Sequence, residues 1–160
     1  MSVDLRRRAA LLALAAVPFV PAVARAQRVL PEVEVYKSPT CGCCKDWIRH
    51  LQANGFSVKA TDVPDSRFMR ARFGMPSKFA SCHTALVGGY VIEGHVPARE
   101  IKRLLREKPT ALGIAVPGMP VGSPGMDGPE YRGAADPYDV LLVQPDGRAT
   151  VFASYEGNTR

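Results

Sequence analysis

Three of the four cysteines of this chain lie within four consecutive residues, between a predicted strand and a predicted helix. Residues 32–36 alternate polar and apolar side chains, which predicts a β-strand. Between residues 44 and 51 the apolar side chains recur at the spacing of one helix face, and Asn54 and Gly55 end that pattern. The run Cys41-Gly42-Cys43-Cys44 is therefore predicted to form the junction of a strand–turn–helix unit, with its thiols at the start of the helix.

The pattern that follows predicts an α/β fold. The predicted elements are a strand at 56–63, a helix at 64–73, strands at 84–87 and 90–92 on either side of Gly88-Gly89, and a helix at 97–108. The order is then β-α-β-α-β-β-α, which is the order of a thioredoxin-like core. That fold also places a Cys-x-x-Cys pair at its first strand-to-helix junction.

The C-terminal third of the chain differs in composition. Residues 109–137 are rich in glycine and proline and repeat the motif Pro-Gly-Met, at 117–119 and 124–126, so they are predicted to form a long loop. Loops of that length within one domain are usually functional or disordered. Strands at 139–144 and 148–155 are predicted to form an additional hairpin that extends the sheet or covers the site.

The first 26 residues have the layout of an export signal, so we expect a mature thioredoxin-like domain at 27–160. Three arginines at 6–8 precede an apolar run at 9–23, and residues 24–26 fit a small-x-small cleavage site. Two prolines interrupt the apolar run, which is shorter than the ~20 residues that span a bilayer. A periplasmic protein without a stable membrane anchor is therefore predicted.

The charge of the chain argues against a nucleic-acid partner. The formal net charge is +6, and the predicted signal carries four arginines and one aspartate, so its removal lowers the charge to +3. The remaining positive charge is too small to indicate binding to a polyanion.

The cysteine run has more sulfur than dithiol exchange requires. Cys41 and Cys44 have ordinary redox spacing, and a thiol in the first turn of a helix is favoured as the thiolate. The third thiol, Cys43, cannot join the other two on one ion without strain, but bridging thiolates can hold several ions. Bridging suits Cu(I) better than Zn²⁺, which prefers four ligands around one centre. A multinuclear Cu(I) site is therefore predicted.

Further ligands are expected outside this run. Cys82 precedes the third predicted strand, whose start faces the Cys-x-x-Cys helix in thioredoxin-like folds. His83 occupies the usual cis-proline position of such folds, either as a ligand or as a histidine packed beside the strand. Met119 and Met126 carry thioethers, which suit Cu(I), although methionine also fills apolar gaps. His95 is a weaker candidate, and His50 is excluded because it lies roughly 10 Å along the helix from Cys43.

Two other readings of the cysteines remain open. Exported proteins often form disulfides, and the pairing without a strained vicinal bond would be Cys41 with Cys44 and Cys43 with Cys82. An enzyme is the other alternative. It would be a thiol-disulfide oxidoreductase or an arsenate-type reductase, with Cys41 as nucleophile and Cys44 as resolving thiol.

Four motifs together resemble the CopG-like family of periplasmic copper-resistance proteins. They lie at 38–44 (Ser-Pro-Thr-Cys-Gly-Cys-Cys), 80–84 (Ala-Ser-Cys-His-Thr), 89–98 and 117–126, in the family's order. The resemblance implies a thioredoxin-like fold and a role in copper tolerance, with redox chemistry on the metal and with copper ions and other periplasmic copper-handling proteins as partners. It also implies binding of Cu(I) in a multinuclear cluster. The residues carried over are Cys41, Cys43, Cys44 and Cys82, followed by His83, Met119 and Met126.

One position departs from the family pattern. Lys45 follows the cysteine run, where a small residue such as glycine is expected. Members of the family are better described as metal-binding proteins than as enzymes, so the resemblance favours metal binding over the oxidoreductase alternative.

Overall fold

The computed structural model describes residues 29–158. The predicted export signal at 1–26 lies outside the described residues. Within the part that the structure describes, there is no helix whose length and apolar character would allow it to cross a membrane.

The described residues form one seven-stranded sheet and three α-helices, so the α/β class is confirmed. The predicted element order of β-α-β-α-β-β-α is also confirmed as far as the third helix. In chain order the elements are β1 (Val33–Lys37), α1 (Gly42–Ala53), β2 (Val58–Asp62), α2 (Ser66–Arg72), β3 (His83–Val87), β4 (Tyr90–Glu93), α3 (Ala98–Glu107), β5 (Gly113–Ala115), β6 (Tyr138–Val143) and β7 (Ala149–Tyr155). Short 3₁₀ turns form at Ser77–Phe79 and Pro129–Tyr131.

The sheet has the strand order β2-β1-β3-β4-β5-β6-β7. β1 pairs in parallel with β2 and antiparallel with β3, and β3 pairs antiparallel with β4. The C-terminal hairpin of β6 and β7 extends this sheet through β5, which runs parallel to β4. Of the two roles predicted for the hairpin, the structure therefore assigns the extension of the sheet.

The prediction that residues 109–137 form a loop throughout is wrong at β5. Gly113 lies so close to the backbone of Val91 that a Cβ atom there would overlap it, so this strand needs a glycine at that position. A three-residue strand that begins with glycine has neither the length nor the alternation by which strands are predicted.

One face of α1 anchors the cysteine run to the sheet. Trp47 and Leu51 are fully buried in one core with residues of β1, β3 and α3, and Cys44, three residues before Trp47, is fully buried as well. Burial of each large apolar side chain contributes about 1.5–3 kcal/mol. Because α1 cannot shift along the sheet without losing these contacts, its first turn is fixed at the end of β1.

Candidate metal centre

The four predicted thiols meet at one end of the sheet. Cys41 precedes α1, Cys43 and Cys44 lie in its first turn, and Cys82 precedes β3. Since Lys37 at the end of β1 pairs with His83 at the start of β3, the two cysteine-bearing segments are neighbours. The Cys82 Sγ atom lies 3.9 Å from Cys43 Sγ and 3.5 Å from Cys44 Sγ. All four sulfur atoms lie within 4.8 Å of one another.

Two of these sulfurs are joined to each other. Cys41 and Cys44 form a disulfide with a Cα–Cα distance of 5.4 Å. Cys43 and Cys82 are free thiols in the part of the chain that the structure describes. Of the two disulfides left open by the sequence, the structure thus contains the first and not the second. In this state only two of the four sulfurs are available to a metal ion.

Two histidines extend the cluster beyond the sulfurs. Cys82 Sγ lies 3.2 Å from Nδ1 of His83 and 3.0 Å from Nε2 of His95. The two imidazole rings meet edge to face, with 5.1 Å between their centroids. His95, the weaker candidate in the sequence, therefore lies at least as close to Cys82 as His83 does. Cys82 belongs both to the group of thiols and to a second group formed with the imidazoles.

The hydrogen bonds of the imidazoles leave nitrogen atoms available as ligands. His95 Nδ1 lies 2.8 Å from the Pro124 carbonyl oxygen, so this nitrogen carries the proton and donates it. Its Nε2 atom then faces Cys82 with a free electron pair. His83 is fully buried, and its Nε2 atom is a buried polar atom without a hydrogen-bond partner in residues 29–158. A buried polar atom without a hydrogen-bond partner is rare, so the His83 Nε2 atom is a candidate for binding a ligand that the protein itself does not supply.

Burial also sets the protonation of the cluster. It lowers the pKa of His83 to about 3, with the neighbouring His95 adding to the effect, and it lowers the pKa of His95 as well. Both rings are therefore neutral at neutral pH, which is the form that binds metal. Burial, followed by the nearby Cys43, raises the pKa of the Cys82 thiol to about 12. A metal ion bound by Cys82 would have to displace that proton.

The metal-free protein is expected to lose stability as the pH falls. In the unfolded chain a histidine takes up a proton near its ordinary pKa of 6.5, but folded His83 resists protonation down to about 3. Between these values the free energy of unfolding should fall by about 1.4 kcal/mol per pH unit through His83 alone. Urea denaturation at pH 7.5 and pH 5 would measure this. The His83→Gln variant should show a smaller loss, and equal losses in both proteins would contradict the assignment.

The chain is similar to a known protein family and to solved structures. A family model described as "Protein of unknown function, DUF411" matches residues 79–126, which contain Cys82, His83 and His95. Two solved structures named "Copper resistance protein copG", forms 1 and 2, share 44% sequence identity with this chain at a TM-score of 0.73. Form 1 covers 80% of this chain and 99% of its own, and form 2 covers 79% and 98%. The chain belongs to the CopG family. A search of curated proteins gave no significant match.

The Gly/Pro segment of this CopG-family chain covers the centre. Gly125 has a φ of +87°, and a Cβ atom on it would lie 2.6 Å from the Cys43 carbonyl oxygen and 2.8 Å from the Trp47 amide nitrogen. The segment can approach α1 this closely only because glycine has no side chain. Together with the hydrogen bond from His95 to Pro124, this contact makes the segment a wall of the site.

The two methionines of that segment have different environments. Met126 is 9% exposed, and the Tyr131 hydroxyl group hydrogen-bonds to its sulfur at 3.6 Å. Met119 is 50% exposed and lines a cavity of about 500 Å³ together with Pro117 and Tyr138. The burial of Met126 is consistent with the alternative considered from the sequence, in which methionine fills an apolar gap. The exposure of Met119 leaves its thioether accessible to solvent.

His50 has a structural role. Its Nε2 atom accepts a hydrogen bond of 3.1 Å from the backbone N–H of Ala98, the first residue of α3. This bond satisfies one of the amide groups that a helix start leaves without a backbone partner. The exclusion of His50 from the ligands stays a prediction.

Proposed function

We propose that this protein binds copper in the periplasm for copper resistance, holding Cu(I) in a multinuclear cluster bridged by cysteine sulfurs. The observation that carries the proposal is the position of Cys82, whose sulfur lies within 4 Å of two other cysteine sulfurs and of two imidazole nitrogens. A sulfur that is close to four other potential metal ligands is suited to bridge two or more metal ions rather than to bind a single ion.

The donor set favours Cu(I) over Zn²⁺. Four thiols and two imidazoles are more donors than one tetrahedral zinc ion uses. Cu(I) is a soft ion that is stable with two or three sulfur or imidazole ligands, so the same donors can serve several copper ions. The solved relatives are named as copper resistance proteins, which supports copper as the metal.

The periplasmic location rests on the predicted export signal at 1–26 and on the disulfide. Disulfides persist in oxidising compartments and are rare in the cytosol, and Cys41 and Cys44 form one. The proposed partners are copper ions and other copper-handling proteins of the same compartment, which would supply or accept the metal.

A thiol-disulfide oxidoreductase is the second candidate, and the disulfide is also the observation that favours it. Cys41 is partly exposed and Cys44 is buried, which is the usual arrangement of an attacking and a resolving thiol. Reduction of insulin disulfides would test this candidate. We expect rates near background, and brisk turnover that is lost in Cys41→Ser would favour the oxidoreductase.

Titration of the reduced protein with Cu(I) tests the proposed function. We expect several copper ions per chain by elemental analysis, together with quenching of tryptophan fluorescence. Trp47 is the only tryptophan of the chain, and its ring lies 4.3 Å from that of His83. The same titration with Zn²⁺ is the control and should give at most one ion. One copper ion per chain, or none, would contradict a multinuclear cluster.

A further inference from the structure

A buried ion pair lies directly behind the cluster. Arg70 of α2 and Glu93 at the end of β4 are joined by a hydrogen bond of 2.8 Å, with their side chains 5% and 0% exposed. Removing two charges from water costs several kcal/mol per ion, and this cost is offset only where further hydrogen bonds complete the pair. The partners that complete it therefore indicate what the pair holds in place.

Those partners belong to the residue before Cys82. The Ser81 backbone N–H donates to Glu93 Oε1 at 2.7 Å, and the Arg70 guanidinium group donates to the Ser81 carbonyl oxygen at 2.6 Å. The ion pair therefore hydrogen-bonds to both backbone polar groups of Ser81. The Thr84 hydroxyl group donates to the other Glu93 oxygen at 2.7 Å, so Glu93 accepts from three donors, as an ionised carboxylate does.

The same pair fixes the segment that carries His95, which is two residues after Glu93. Gly94 lies between them with a φ of +73°, and a Cβ atom on it would lie 2.5 Å from the side chain of Ser81. The Gly94 backbone N–H also donates to the His83 carbonyl oxygen at 3.0 Å. The segments 81–83 and 93–95 therefore lie side by side without space between them.

We propose that Arg70 and Glu93 are positioning residues, which fix the place of the Cys82 sulfur relative to the His95 imidazole and to the Cys43 sulfur. The proposal rests on the proposed function for its ligand, Cu(I). The pairing of β3 with β4 brings Cys82 and His95 to the same end of the sheet, but both lie outside the strands, so it does not fix the conformations of their side chains. The ion pair supplies that constraint because it joins the two segments at one carboxylate.

Competition for Cu(I) with a chromophoric chelator tests the proposal in the reduced, purified protein. We expect Glu93→Gln to weaken the apparent Cu(I) affinity at least tenfold, because its amide turns one acceptor into a donor and leaves Arg70 without a counter-charge. Arg70→Lys, which keeps the charge but loses the forked geometry, should act in the same direction. Thr84→Val, a nearly isosteric change, should give a smaller loss and provides a milder variant should the other two fail to fold.

Glu100→Gln is the matched control. Glu100 of α3 is also a buried carboxylate, 6% exposed, and it accepts hydrogen bonds from Arg99 and from Tyr155, away from the cluster. Its replacement should lower the melting temperature while changing the Cu(I) affinity less than twofold. Folded Glu93→Gln and Thr84→Val proteins with wild-type Cu(I) affinity would overturn the proposal, as would an equal loss of affinity in Glu100→Gln.

A copper-free measurement separates this proposal from the proposed function. With the Cys41–Cys44 disulfide intact, the fluorogenic reagent dibromobimane can bridge Cys43 and Cys82, whose sulfurs lie 3.9 Å apart. We expect Glu93→Gln to slow this bridging severalfold and Glu100→Gln to leave it unchanged. If the wild-type protein bound no Cu(I), the proposed function would fail, and the bridging rate would still decide the positioning role. Equal rates in wild type and Glu93→Gln would refute it.

Discussion

Replacement of Cys82 by serine is expected to reduce the copper content of the reduced protein from several Cu(I) ions to one or none. Cys82 is the only cysteine that belongs to both groups of potential ligands, the four thiols and the Cys-His-His set, within the described residues. A hydroxyl group is a poor ligand for Cu(I) and does not bridge such ions as a thiolate does. Loss of this one sulfur therefore removes the link between the two groups.

Copper counting after gel filtration would measure the effect, with circular dichroism to establish that the variant is folded. His50→Gln is a suitable comparison, because His50 lies on the same helix as the cysteine run but hydrogen-bonds to Ala98 instead of facing Cys82. We expect that variant to retain the full copper content. A Cys82→Ser protein with wild-type copper content would mean that the cluster is bridged elsewhere.

Oxidation of the cysteine run is expected to weaken Cu(I) binding at least tenfold. The Cys41–Cys44 disulfide removes two of the four thiolates, and a disulfide sulfur is a much weaker ligand than a thiolate. The remaining donors, Cys43 and Cys82 with the two histidines, are too few for the full cluster. Reduction should restore the missing donors without a large change of fold, since α1 is anchored by residues behind the cysteines.

The comparison uses one protein sample before and after treatment with a phosphine reductant, with Cu(I) affinity measured by chelator competition. Cys41→Ser supplies the control, because it cannot form this disulfide. The Cu(I) affinity of this variant should be the same with and without reductant. Mass spectrometry would establish that Cys43 and Cys44 have formed no other disulfide in the sample. Equal affinities of oxidised and reduced wild-type protein would show that Cys41 and Cys44 do not contribute ligands.

The strand–turn–helix unit at the cysteine run could be predicted from the sequence because its information is local. Alternation at 32–36 and helical spacing at 44–51 each specify one element, and the buried face of α1 matches the predicted face. The position of Cys82 could not be predicted from local patterns alone, because its proximity to Cys43 depends on the antiparallel pairing of β1 with β3. That pairing followed from the order of elements rather than from any residue near Cys82.

The proximity of His95 to Cys82 was not predicted, although the sequence held a signal for it. The two-residue turn at Gly88-Gly89 fixes the register of the hairpin, so that Thr84 pairs with Glu93. That register puts residues 82–83 and 94–95 at the same end of the two strands. Extending the pairing beyond the predicted strand ends would have placed His95 beside Cys82.

Other features had no such signal. Arg70 lies in a short helix that is rich in arginine, and nothing in its local pattern distinguishes this buried side chain from exposed Arg67. Contact of Gly125 with α1 depends on the path of a long irregular segment, for which no periodicity exists. The disulfide could be named as an alternative but not selected, because the same spacing of Cys41 and Cys44 suits both oxidation and metal binding.

The depth of the donors below the surface differs from one to the next. Cys41 and Cys43 are partly exposed, whereas Cys44, His83 and His95 are buried. Ligands at different depths exchange metal at different rates, because those in contact with water can pass an ion to another molecule while the buried ones cannot. In the proposed cluster the outer thiols would therefore both gain and lose copper first, so that ions held by the histidines form a slowly exchanging reserve beneath a fast one.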